Sequence, residues 1–390
     1  MKSYFTKKRG RFSRTKSLAI STVIIAVIII IIIAVAAGVA YFLVTGSSST
    51  TSTRASSSVT SNTISSSSST STTVSSSSSG LILYSADAYA NESTTLENAF
   101  SSSSGIQMAP PKAAGSSALG QQIAAGNPVS VFLSVSKTAV QNVTLKSAFG
   151  GWAVAFATDQ MGIAYSNATK QNSASYATIN AFNAAVASNT TAAWNDFYNN
   201  LTSGQVKVGI SNPNADPAGY RAWIVLEAAG HNYANNNSNY YVNRMISNGG
   251  NYTGASAADL IAPLQAGQIQ FLFIYKSDIV SERLNLLQLP SGVNLGSGSY
   301  NTFYSQFAYN TTAGVQKGSA ITLWITVPKT STDPTDSVTF VVFVIQNYVT
   351  LLKPFGLGYI QPPKIYNDTS IPTPLQQLVF NKSLSYAGAL

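Results

Sequence analysis

From residue 81 onward, strand-length apolar runs alternate with stretches of helical pattern, and that alternation restricts the fold more than any other feature. The runs are Leu81–Tyr84, Val129–Val135, Ala153–Ala157, Val206–Ile210, Ile269–Tyr275 and Ile321–Val327. Strands separated by helix signals predict an α/β architecture with parallel sheets. The stretch from Gly80 to the C-terminus, about 310 residues, exceeds what one core usually takes, so two lobes are expected.

The first 79 residues are of another kind. Seven of the 22 Lys and Arg (Lys2, Lys7, Lys8, Arg9, Arg11, Arg14 and Lys16) precede an uncharged Ile/Val/Ala-rich run over Leu18–Val44. That run is long enough to cross a bilayer as one helix. Basic residues before it and none directly after predict a cytoplasmic 1–17 and an exterior C-terminal part. A cleaved secretory signal is the rival reading, and Lys16-Ser17-Leu18 also resembles the pilin-like signals of archaeal surface proteins, which leave the apolar stretch attached. Residues 45–79 are almost wholly Ser and Thr, cannot build a core, and read as a stalk. Ten Asn-x-Ser/Thr sequons follow, among them Asn91, Asn142, Asn200, Asn251 and Asn381, which agree with exterior placement and glycosylation.

Composition excludes several function classes. Without the basic N-terminus the net charge of +9 falls close to zero, so no nucleic-acid partner is expected. There is no Cys and only one His, His231, which rules out disulfides and thiolate metal sites. Charged residues make up only 9% of the chain, a sparsity that suits a protein facing acid. No paired acid and base, phosphate loop or dinucleotide fingerprint appears, so no enzyme, no bound metal and no cofactor are expected.

Four loops between a strand and a helix carry the remaining signal. In "SNPNADPAGYRAWIVLEAAG" (211–230), Asp216 is the expected N-cap, Pro217 the first helical residue and Gly230 the helix stop. Small residues Ala218 and Gly219 leave first-turn N–H groups open to an anion, which the helix dipole favours. In "AAGSSALGQQIAAGNPVSVFLS" (113–134), Gly115, Ser116 and Ser117 open a short helix that Gly126 stops. In "GASAADLIAPLQAGQIQFLFIYKSD" (254–278), Ser256 and Asp259 have capping-box spacing ahead of a helix from Ala257, and Tyr275 ends the following strand. Ligands of open α/β sheets bind at such carboxyl ends. The fourth loop lies in "LILYSADAYANESTTLENAF" (81–100). Lys276 is expected to be solvated, Arg221 to meet a surface acid, and His231 to follow the helix end.

Together these segments resemble the molybdate/tungstate-binding proteins of ABC transporters, in particular the archaeal tungstate-binding type. "ISNPNADPAGYRAWIVLEAAG", "FATDQMGIAYS" (156–166), "FIYKSDIV" (273–280) and "LPSGVNLGSGSY" (289–300) fall in that family's order and spacing. The resemblance runs from about Leu81 to the C-terminus and implies a two-lobe periplasmic-binding-protein-like fold of type II that closes at a hinge. Lobe 1 would comprise 80–157 and 322–390, and lobe 2 158–321, after one transmembrane helix at 18–44. It places the family's ligand contacts on Ser116, the amides of Ala218 and Ala257, the Tyr275 hydroxyl, and Asp216 as a metal-directed carboxylate. Two positions depart from the family. Ala88 stands where a serine hydroxyl is expected, unless Ser85 or Asp87 replaces it, and Ala257 stands where the archaeal type has a glutamate. The implied ligand is a tetrahedral oxyanion held by N–H and O–H donors, with Asp216 mainly a cap, and the implied partner is an ABC permease. The alternatives are a surface structural protein with a degenerate site, and capture of another small anion or organic acid.

Overall fold

The computed structural model describes residues 80–390; the basic segment 1–17, the apolar segment 18–44 and the Ser/Thr tract 45–79 lie outside the described residues. Among the described residues no helix is long and apolar enough to cross a membrane.

The apolar runs form the strands of two sheets. The first has seven strands in the order Ser385–Tyr386, Gly358–Asn367, Trp152–Asp159, Ile321–Thr326, Val131–Ser134, Leu83–Ala86 and Lys112–Ala114. The second has five, in the order Asn251–Tyr252, Val208–Gly209, Phe271–Tyr275, Met161–Tyr165 and Asn285–Leu287. Each sheet is the centre of a lobe, and the chain passes between them at Asp159–Met161 and again before Ile321. Leu83–Ala86, Val131–Ser134 and Phe271–Tyr275 are buried at every position. Strands covered on both faces lose the apolar/polar alternation, which is why these runs read as continuous.

The sheets are mixed, not parallel as expected. Leu83–Ala86 is parallel to both of its neighbours. The returning strand Ile321–Thr326 instead inserts between Val131–Ser134 and Trp152–Asp159, antiparallel to both. Met161–Tyr165 likewise runs antiparallel to Phe271–Tyr275. In each case the antiparallel strand is one the chain enters directly after changing lobe, without the crossover helix that imposes parallel direction.

The central helix, Pro217–Tyr233, starts as the sequence indicates, with Asp216 as cap and Pro217 at its first position. It does not stop at Gly230. A Cβ at Gly230 would stand 2.4 Å from the Asn237 carbonyl oxygen, so the glycine admits the close return of the following turn while the helix continues. His231 therefore lies inside the last turn, edge-on to Phe303 and Phe307 at ring separations of 5.4 and 5.8 Å. The expected box at Ser256 and Asp259 is reciprocal, with Ser256 N–H donating to Asp259 Oδ2 at 3.0 Å and Asp259 N–H to Ser256 Oγ at 3.3 Å. It opens a 3-10 turn at Ala258–Leu260, one residue later than expected, which runs into the helix Ile261–Gln265.

Candidate functional site

Asp216 is the centre of the site. As the cap of the central helix it accepts the Ala218 N–H on Oδ1 at 3.0 Å. Its other oxygen, Oδ2, accepts the Ala257 N–H at 2.9 Å. The two amides expected to hold an external anion thus converge on one internal carboxylate, and each comes from a different loop. Asp216 and both alanines are 2% exposed or less, so these contacts are shielded from bulk solvent. Burial raises the Asp216 carboxyl above its ordinary value, opposed by the Ala218 amide, the Ser211 side chain, the Ala257 amide and the Arg221 charge.

The Ser116 helix abuts this arrangement from the first lobe. Ala118 N–H donates to the Ala215 carbonyl at 3.3 Å. A Cβ at Gly115 would stand 2.3 Å from the same carbonyl oxygen, so only glycine lets the two loops meet this closely. Ser116, fully buried, accepts the Val135 N–H on Oγ at 3.1 Å. The Val135 carbonyl in turn accepts from Arg221 Nη2 at 2.7 Å, and Arg221 Nη1 donates to the Tyr275 hydroxyl at 2.7 Å. A chain of hydrogen bonds therefore runs from Ser116 through Val135 and Arg221 to Tyr275, crossing from one lobe to the other.

Two residues matter more here than their sequence context suggested. Arg221 does not meet a surface acid; it is 5% exposed and lies between Val135 and Tyr275. Its place one turn after the cap, between Tyr220 and Ala222 in the otherwise uncharged run Pro217–Leu226, was the available signal. Asp87 precedes Ala88 in the 3-10 turn Asp87–Tyr89, and its Oδ2 is buried without a hydrogen-bond partner. Burial first, and the Asp216 charge second, push the Asp87 carboxyl up to about 7, against the Ser256 side chain, which lowers it. Ala88 is buried and brings no hydroxyl. Its neighbour Tyr89 stacks on Tyr275 at 5.8 Å, which ties the first loop to the strand end.

Of the expected positions, Asp216, Ala218 and Ala257 thus share one carboxylate, and Ser116 and Tyr275 join one hydrogen-bond chain. Ala88 is adjacent through its neighbours alone. Lys276 opens the helix Lys276–Ser281 and takes no part in these contacts. Among the described residues no three His, Asp or Glu side chains are grouped to hold a metal ion.

An uncharacterized solute-binding protein of Saccharolobus solfataricus is 36% identical over 316 residues, which cover 79% of this chain and 78% of that one. One of Sulfurisphaera tokodaii is 35% identical over 316 residues, covering 79% and 83%. Among solved structures, the periplasmic molybdate-binding protein of Azotobacter vinelandii aligns over 72% of this chain and 98% of its own at a TM-score of 0.49 and 14% identity. The family model described as bacterial extracellular solute-binding protein matches residues 81–347, and the chain belongs to that family.

Proposed function

We propose that this solute-binding protein captures a tetrahedral oxyanion, molybdate or tungstate, and delivers it to an ABC permease. In this reading the apolar segment 18–44 anchors it in the membrane and 45–79 holds the binding lobes outside. The observation that carries the proposal is the pair of amides, Ala218 and Ala257, that meet on the two oxygens of one buried carboxyl group. Two N–H donors converging on a carboxylate are equally disposed toward two oxygens of an oxyanion, and a buried anion at a helix start gains from the dipole. The ligand enters by exchanging with Asp216. Asp87, protonated below about pH 7, supplies an O–H donor beside Ala88, which has none.

Calorimetric titration of the full-length protein with molybdate, tungstate, sulfate and phosphate tests the proposal. It predicts one saturable site for at least one of the two metal oxyanions. No heat with any of the four defeats it. That outcome would favour the second reading, a surface structural protein whose cradle stays filled by Asp216.

A further inference from the structure

Beyond the cradle, on the outer side of Arg221, residues of the two lobes line an open groove of about 640 Å³. Lys137 lines it from the first lobe, and Tyr220, Arg221 and Lys317 line it from the second. Lys317 ends the hairpin formed by Ala308–Thr311 and Gly314–Lys317. This hairpin reaches the opposite lobe, where Gln316 Oε1 accepts the Thr138 hydroxyl at 3.2 Å and bridges the mouth.

Charge and size together define what such a groove holds. Three of its lining residues are cationic and none is acidic; the others are hydroxyl, amide or aromatic side chains, one glycine and the aliphatic Val315. Arg221 spends one N–H on Tyr275 and one on the Val135 carbonyl, and a guanidinium carries five such donors in a planar fork. Its small remaining exposure adjoins this space. Lys137 is steadied by the Tyr366 and Trp324 rings at 5.1 and 5.9 Å, which limits the entropy lost when it meets a ligand. The volume falls in the range that takes small organic molecules, roughly 300–1,000 Å³. A bare tetrahedral oxyanion would leave most of it to water.

We infer that this groove is a second anion site, which takes a small organic dianion, a phosphate monoester or a dicarboxylate, between Lys137, Arg221 and Lys317. It is distinct from the cradle amides, which lie on the Asp216 side, and shares with that site only Arg221. Its hydroxyl- and amide-bearing wall suits a ligand that is itself polar along its length.

The test uses the full-length protein and four probes: glycerol 3-phosphate, succinate, inorganic phosphate and uncharged glycerol. Saturable binding of glycerol 3-phosphate or succinate, and none of glycerol, is expected. Inorganic phosphate bound as tightly as either organic dianion overturns the claim that the site takes an organic ligand. The variant Lys137→Glu/Lys317→Glu changes two exposed side chains and should keep the wild-type melting temperature within a few degrees. It should weaken the organic dianion at least tenfold while leaving molybdate or tungstate binding as it was; Lys317→Glu alone should give an intermediate loss. Absence of dianion binding at millimolar concentration overturns the inference, as does equal binding by the double variant. Loss of molybdate binding in the wild type would count against the cradle alone, so the two failures are distinguishable.

Discussion

The protein is expected to melt at a higher temperature at pH 5 than at pH 8.5, by on the order of 10 °C. The cause is a set of carboxyls buried where the segment Asp87–Glu92 of the first lobe packs on the helix Lys276–Ser281 of the second. Burial, helped by the charges of Asp159 and Glu282, pushes Glu92 up to about 8. Both of its oxygens lack a hydrogen-bond partner, as does Asp278 Oδ2. Asp278 is raised by burial and by the charges of Glu92, Asp87, Glu282 and Asp159. Asp159 is raised by burial to about 6, although Tyr89 and Ser277 donate to its Oδ2 at 3.0 and 2.5 Å, one from each lobe. Asn91 faces Glu282 at 3.2 Å, and Lys353, in the turn Lys353–Phe355, is the cation on the element packed against the same helix.

The sign follows from linkage. A carboxyl whose folded pKa lies above its unfolded value binds more protons when folded, so its contribution is fully present below about pH 4 and is lost as pH rises through about 6 to 8. At about 1.4 kcal/mol per unit, the rise of Glu92 from 4.5 to about 8 corresponds to about 5 kcal/mol between those limits. A domain of this size moves by roughly 2 °C or more per kcal/mol. Thermal melts across pH check the expectation, and Glu92→Gln should flatten the curve. A stability maximum at neutral pH would contradict it, together with the idea that the sparse charge of this chain suits an acidic exterior.

The second large effect is expected at Asp216. Replacing it by alanine removes the helix cap, worth about 1 kcal/mol, and leaves the Ala257 N–H buried without an acceptor, worth about 1–3 kcal/mol. Relief of the buried charge offsets part of this, so a net loss of about 2 kcal/mol is expected. The distinguishing result is rescue. With the internal competitor gone, millimolar molybdate or tungstate should raise the melting temperature of Asp216→Ala by several degrees more than that of the wild type. The variant should also bind the oxyanion at least tenfold more tightly. Melts with and without oxyanion decide the matter; equal shifts in the two proteins would mean that Asp216 does not stand in the ligand's place.

The architecture was legible because its strands are buried on both faces and appear as uninterrupted apolar runs, and because Asp216, Pro217 and Ser256 with Asp259 are local signals. Strand direction at the lobe crossings was not legible, since Ile321–Thr326 takes its orientation from where the chain returns, not from its own residues. Gly230 misled for a related reason: the need for it comes from the Asn237 carbonyl, which no local pattern displays. In the candidate site the sequence pointed to loops that the fold brings together, but not to Asp216 as the group on which two of their amides meet. That Asp216 spans two loops depends on a contact 41 residues away. Arg221 shows the same limit, since a lone arginine on a helix reads as solvated until its two acceptors, Val135 and Tyr275, are in view.

The most direct test of the cradle follows the backbone amide resonances of Ala218 and Ala257 in the isotopically labelled protein during titration with tungstate. Both signals are expected to shift with a single shared saturation curve, as each N–H exchanges the Asp216 oxygen for one of the ligand. Saturable tungstate binding that leaves these two amides unmoved would contradict the assignment of the site.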